Sequence, residues 1–190
     1  RKVPVRELAT RAPSKETTSS SSPMPQPMRI GGALRESDRV DIIRSPYDDE
    51  VVGEVCVASD ADMDDAIAAA TEAFDHVRRM PTHERTRILS AMADALEANA
   101  EDLATLITRE SGKPIRFSRG EVARAVITFR LGAAEAVRPI GEVLPIDLQP
   151  TSEGRLCLHT SAPRGPVAAI SPFNFPLNLI AHKLSPAVAI

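Results

Sequence analysis

Residues 163–190 read PRGPVAAISPFNFPLNLIAHKLSPAVAI, and this stretch decides the fold class. Val167 to Ile170 is a short apolar run of the kind that forms a buried strand. A tight polar turn follows, and from Phe175 to Ala189 the spacing predicts a helix, bent near Pro186. Pro176 falls just inside the predicted helix start, where the fixed φ of proline is tolerated. A strand turning into a helix with Asn174 at the junction is how α/β enzymes place a polar group beside a bound cofactor.

Upstream, the pattern changes twice. Arg39–Arg44 and Glu50–Ala58 are β-rich runs separated by SPYDD, which predicts a hairpin turning at Pro46–Asp49. Ser59, with Asp62 three residues on, predicts a helix start, and Met63, Ile67, Ala70, Phe74 and Val77 follow at helical spacing. Pro81 and Thr82 open a second helix with the stripe Ile88, Leu89, Met92 and Leu96. A third runs from about 101 to 110 with Leu103, Leu106 and Ile107 inward, stopped by Gly112 and Pro114. A fourth, Ala-rich helix spans about 117–137. Then Leu144, Ile146 and Leu148 alternate, as does RLCLHT at 155–160, so 142–160 reads as a second hairpin.

Composition narrows the function classes. Apolar residues make up 43% of the 190 and aromatics only 3%, so the core must be aliphatic. A net charge of −3 gives no basic field for nucleic acid or an anionic membrane. No apolar stretch approaches the ~20 residues of a membrane helix. Two distant cysteines, Cys56 and Cys157, fit neither a disulfide framework nor a structural zinc site, and a reducing cytoplasm is expected. Neither has a base or a helix start beside it in sequence, so both read as strand residues rather than nucleophiles.

Residues 1–27 carry TTSSSSPMPQP and no aromatic, the composition of a disordered tail or leader, with Met24 or Met28 as the native start. The arginines and lysines at its head raise organelle targeting as an alternative, disfavoured by the lack of an amphipathic helix.

Asn174 is the candidate catalytic residue. A side-chain amide at a helix N-terminus can donate to a developing oxyanion, although spacing alone favours its reading as a helix cap. Asn174, Asn178 and His182 are spaced by four and would share one face. Lys183 is either a solvated helix lysine or, if burial lowers its pKa, a general base. His182 reads as structural, and no metal-ligand spacing occurs.

The run SPFNFPLNLIAHKLSPA resembles the aldehyde dehydrogenase superfamily. MRIGG, SPYDDEVVGEV, ERTRIL, ITRESGKPI and GEVLP are individually weaker matches, but they follow in the same order over about residues 28–190. The resemblance implies an α/β fold: the N-terminal part of an aldehyde dehydrogenase-like fold, with a β-hairpin, a helical block, an oligomerisation hairpin, and the first strand and helix of a Rossmann-type cofactor domain. The domains expected are a tail at 1–27, the N-terminal hairpin and helices at 28–141, the oligomerisation hairpin at 142–162, and the start of an NAD(P)-binding core at 163–190. Two departures stand out: Asp49 where relatives often carry Gly, tolerable because Asp adopts left-handed conformations, and Pro166 where relatives have an aliphatic residue, tolerable at a strand's first position.

By the same resemblance, Asn174 would hold the oxyanion of a thiohemiacetal, and Lys183 would join a proton relay for thioester hydrolysis. Ile170, Ser171 and Phe173 would contact the nicotinamide side of NAD or NADP, although strand-end packing alone would also explain them. A small aldehyde, with a weak lean to lactaldehyde or phosphonoacetaldehyde, would be oxidised to the acid by a homodimer or homotetramer. The family's nucleophilic cysteine, glutamate base and glycine-rich turn are absent from these residues, so the chain alone is expected to be inactive. The rival expectations are a non-catalytic interaction fragment docking through its exposed hairpin edge and a four-helix α+β domain without a site.

Overall fold

In the computed structural model, which describes residues 24–138 and 141–190, each named strand pairs within a two-stranded antiparallel hairpin. The first hairpin joins β1 (Met28–Ile30) to β2 (Ala33–Arg35). It turns through Gly31 and Gly32, at φ 58° and 85°, the doubly left-handed geometry of a two-residue turn that matches strand twist. Most of the tail expected over 1–27 lies outside the described residues. Its end is already tied down, because Gln26 N–H donates to Glu54 O at 2.8 Å and Cys56 N–H donates to Gln26 O at 3.0 Å.

The second hairpin, β3 (Val40–Arg44) and β4 (Val51–Cys56), has the predicted limits to within a residue or two. Asp49 takes φ 59°, the left-handed position expected of it. A third hairpin pairs β5 (Gly141–Leu144) with β6 (Cys157–Thr160). The alternation predicted through Ile146 and Leu148 does not extend the strand. Pro145 follows Leu144 directly and has no N–H for the ladder.

Between the hairpins lie four helices, α1 (Asp60–Val77), α2 (Thr82–Ala98), α3 (Ala100–Ser111) and α4 (Ile115–Glu135), and α5 (Asn178–Ala189) closes the described chain. The α1 start is a capping box: Ser59 and Asp62 exchange side-chain and backbone hydrogen bonds. Gly112, at φ 68°, ends α3 in the left-handed conformation that only glycine takes freely.

The main core is the seam between α2, α4 and α5. Leu89, Ala93, Ala125, Phe129, Ala133 and Ala181 are buried there, with Met92 and Leu96 packed against them. Small side chains let the axes approach closely, as the Ala-rich reading of α4 anticipated. A second cluster holds Ala104, Ile107 and Val122 between α3 and α4.

Four expectations need correction. No residue of α1 is buried, and Met63 and Ile67 are more than half exposed, because α1 packs against the first hairpin and otherwise is held at its end by Arg85 of α2. At the hairpin Arg35 pairs with Asp62 at 3.0 Å and Asp65 at 2.6 Å. On α3, Leu106 faces outward and Ala104 takes the inward place beside Ile107. Val167–Ile170 is extended but forms no strand and is not buried: Val167 is 73% and Ile170 86% exposed. A strand exists only with a ladder partner, and none of the described residues pairs with this run. Finally, α5 begins at Asn178, three residues after the predicted start at Phe175. The PFNFP segment is therefore a series of turns leading into the helix.

Candidate active site

The turn between α3 and α4 creates the site. Gly112 reverses the chain, Pro114 starts α4, and Lys113 is left at the corner between them. Two turns into α4, Glu121 points inward and is fully buried. A carboxylate there is costly unless its charge is matched and its lone pairs are filled. Both conditions are met. Oε2 pairs with the Lys113 ammonium. Oε1 accepts from the backbone N–H of Leu177 at 2.9 Å and of Asn178 at 3.2 Å.

Those two amides belong to the start of α5, whose N-terminal residue Leu177 offers no capping side chain. Glu121 supplies the missing cap from another helix, at the positive end of the helix dipole. Lys113 reaches further: Nζ donates to the backbone oxygen of Asn174 at 2.8 Å and stands 4.3 Å from the centroid of the Phe175 ring. Arg124 approaches the same ring at 4.8 Å.

Asn174 thus sits in the turn before α5, not at the helix start, and its side chain caps nothing. Among the described residues that side chain makes no hydrogen bond, and it borders an open depression of about 510 Å³ with Glu110, Ser111, Lys113, Phe173 and Pro176. An amide left without a protein partner beside a cleft is free to donate to a ligand. A second depression, of about 550 Å³, is lined by Lys113, Arg116, Phe117, Gly120, Arg124 and Phe175. Lys113 belongs to both.

The other sequence candidates are distributed differently. Ile170 and Phe173 present apolar surface to solvent, 86% and 93% exposed, and Ser171 is half-buried. Lys183 is half-buried with Nζ turned back to its own helix, 3.4 Å from Leu179 O. The polar face expected from Asn174, Asn178 and His182 does not form. Asn174 lies outside the helix, Asn178 is buried against Glu121, and His182 is exposed. Cys56 and Cys157 are free thiols in β4 and β6, as expected of strand residues.

Lys113 and Glu121 were not singled out from sequence. The available signal was a lone acidic residue adjoining the apolar Val122 and Ala125 on a helix, eight positions after a Gly-Lys-Pro turn. A glutamate on an inward face requires a partner.

The sequence model of the aldehyde dehydrogenase family matches residues 35–190. The chain is 40% identical over 147 residues to the 3-sulfolactaldehyde dehydrogenase of Priestia aryabhattai, an alignment covering 77% of this chain and 30% of that protein. Its structure is similar to that of aldehyde dehydrogenase 21 from Physcomitrella patens, solved in complex with its reaction product succinate. The TM-score is 0.84 at 37% identity, covering 88% of this chain and 35% of the other. It is also similar to the NADP-dependent glyceraldehyde-3-phosphate dehydrogenase of Bacillus halodurans C-125, complexed with NADP. There the TM-score is 0.75 at 32% identity, over 88% and 36% of the two chains. The chain spans about a third of the length of these relatives. A family match over most of the described residues, with the PFNFP turn held between α4 and α5, leads to one conclusion: the chain belongs to the aldehyde dehydrogenase family.

Proposed function

We propose that the protein carrying these residues is an NAD(P)-dependent aldehyde dehydrogenase acting on a small aldehyde with an anionic tail. The observation that carries the substrate class is a pair of guanidinium groups in one depression, Arg124 over the Phe175 ring and Arg116 over the Phe117 ring. Arg116 and Arg124 line one depression with Lys113, and among the described residues no carboxylate lies within ion-pair distance of either arginine. Lys113 is already matched by Glu121, so the two arginines carry the positive charge left for a ligand. Arg recognises carboxylate and sulfonate groups through a planar fork of donors. Lys113 lines both this depression and the one bordered by Asn174, which makes the charged depression a neighbour of the amide proposed to work on the aldehyde oxygen. The relatives supply fitting chemistry: one is named for a sulfonated aldehyde and another was solved with a dicarboxylate product.

In this reading the anionic tail docks on Arg116 and Arg124, and Asn174 donates its amide N–H to the aldehyde oxygen as negative charge develops there. Ile170, Ser171 and Phe173 would hold the nicotinamide end of NAD or NADP. The fit rests on two features: Ile170 and Phe173 offer uncovered apolar surface, and the backbone of Val167–Ile170 makes no hydrogen bond among the described residues. The bound cofactor would supply the hydride acceptor. Lys183 would serve a proton relay only after its ammonium leaves Leu179 O. The β5–β6 hairpin, with Val143 and Leu158 well exposed, would be the arm joining copies into a homodimer or homotetramer.

The test compares an anionic aldehyde, such as succinate semialdehyde, with a neutral aldehyde of similar length, following NAD(P)H absorbance in the full-length protein. Arg124→Ala should raise KM for the anionic substrate by about ten-fold or more, the worth of one charge-assisted hydrogen bond, and leave the neutral one unchanged. Equal KM shifts for both substrates would remove the anionic class.

A further inference from the structure

We propose that Glu121 is a positioning residue for Asn174, acting through Lys113 and the start of α5; the proposal rests on the reading of Asn174 as the oxyanion donor. One buried carboxylate holds the segment 174–178 at both ends. Its Oε1 fixes the amides of Leu177 and Asn178, and its Oε2 fixes the ammonium that grips the Asn174 carbonyl.

The side chain of Asn174 has no partner of its own among the described residues. Its direction is therefore set by its backbone, and the one hydrogen bond on that backbone comes from Lys113. Lys113 is oriented in turn by Glu121 and by the face of Phe175. An oxyanion donor works only when aimed at the position the anion will occupy, so a small rotation of this turn lowers the rate without altering the donor itself.

Capping α5 and matching the buried charge of Glu121 would by themselves stabilise the fold, and neither requires Lys113 to reach Asn174. Simple capping would be met by an acceptor facing Leu177 and Asn178. The hydrogen bond from Lys113 Nζ to the Asn174 carbonyl, which neither capping nor charge matching calls for, is what separates a positioning device from a cap.

The experiment uses the full-length enzyme with NAD(P) and its aldehyde. Glu121→Gln keeps the volume and an acceptor for the two amides but turns an amide NH₂ toward Lys113. We expect kcat to fall by about ten-fold to 100-fold, the cost of a misplacement on the order of 1 Å, with KM for the cofactor unchanged. Lys113→Met keeps the Oε1 acceptor for the two amides but leaves the buried carboxylate unmatched, so it should lower Tm as well as lowering kcat by a similar factor. In an Asn174→Ala background, Glu121→Gln should cost no further kcat, because the group it positions is gone. Two results would overturn the proposal. One is a Glu121→Gln enzyme with a lower Tm and full kcat, which is a cap alone. The other is an equal kcat loss with and without Asn174. If Glu121→Gln does not fold, Lys113→Met with full kcat refutes the proposal equally. If Asn174→Ala itself leaves kcat intact, the oxyanion reading fails, a separate and recognisable outcome.

Discussion

Gly132 of α4 and Ser185 of α5 are in such close approach that a Cβ added to the glycine would lie 2.0 Å from the Ser185 Oγ and 3.3 Å from its Cβ. Ser185 Oγ in turn donates to the Thr128 carbonyl at 3.0 Å, one turn before Gly132. The missing side chain on one helix makes room for the hydroxyl of the other. This crossing brings α5 against α4, and with it the Asn174 turn against Glu121. Gly132→Ala should therefore destabilise the protein by about 1–3 kcal/mol through overpacking, read as a lower urea midpoint. Adding Ser185→Ala removes the nearest clashing atom and should recover part of that loss, so the double variant should be more stable than Gly132→Ala alone.

Arg85 is the second tie on α5. Its guanidinium is buried and donates to four carbonyls: Val77 at the end of α1, Met80 in the turn that follows, and Val188 and Ile190 more than a hundred residues on. Arg85→Met would leave buried acceptors unpaired and should cost about 3 kcal/mol or more, measured by chemical unfolding. Arg85→Lys should recover little, because one ammonium cannot reach carbonyls on both sides of a planar fork.

Acid sensitivity should arise in part at the start of α1. The Ser59 hydroxyl and backbone N–H both donate to Asp62, and Arg35 stands beside it; together they pull its pKa down to about 2. A carboxylate with a depressed folded pKa contributes stability above its unfolded value near 4, and that contribution is lost as pH falls toward 2. Between pH 5 and pH 2 the unfolding midpoint of the wild type should fall more steeply than that of Asp62→Asn. The two curves should converge at the acid end.

Asn174→Ala in the full-length protein should lower kcat by about 100-fold or more, the usual cost of one oxyanion donor, with Tm unchanged because the side chain bonds to none of the described residues. A concurrent fall in Tm would show that the side chain supports the fold rather than the reaction. Lys183→Met provides a contrast. If Lys183 serves the relay, kcat falls with KM intact; a lysine that only touches Leu179 O would leave both unchanged.

Much of this was legible in the chain because it is local. The capping box at Ser59 and Asp62, the Gly112 stop, the left-handed Asp49 and the apolar period of α2 each depend on residues within a turn or two. Periodicity showed which residues share a face of α1, but not that this face meets solvent, since a stripe specifies a partner without supplying one. For the site, the sequence picked out Asn174 but assigned it to a helix start that lies three residues further on. It overlooked Glu121, whose partners on α5 are 56 and 57 positions away.

By itself, then, the sequence determined the helices, the hairpins at 40–56 and 141–160 but not the one at Met28–Arg35, and the identity of the PFNFP turn, because hydrogen bonds between near neighbours and side-chain periodicity are written along the chain. Only the tertiary structure decided that Val167–Ile170 finds no ladder partner among the described residues, that Gly132 admits Ser185, and that Glu121 and Lys113 reach the Asn174 turn. Those outcomes depend on which distant groups burial forces together, and a buried charge or an unpaired strand is resolved only by what it meets in space.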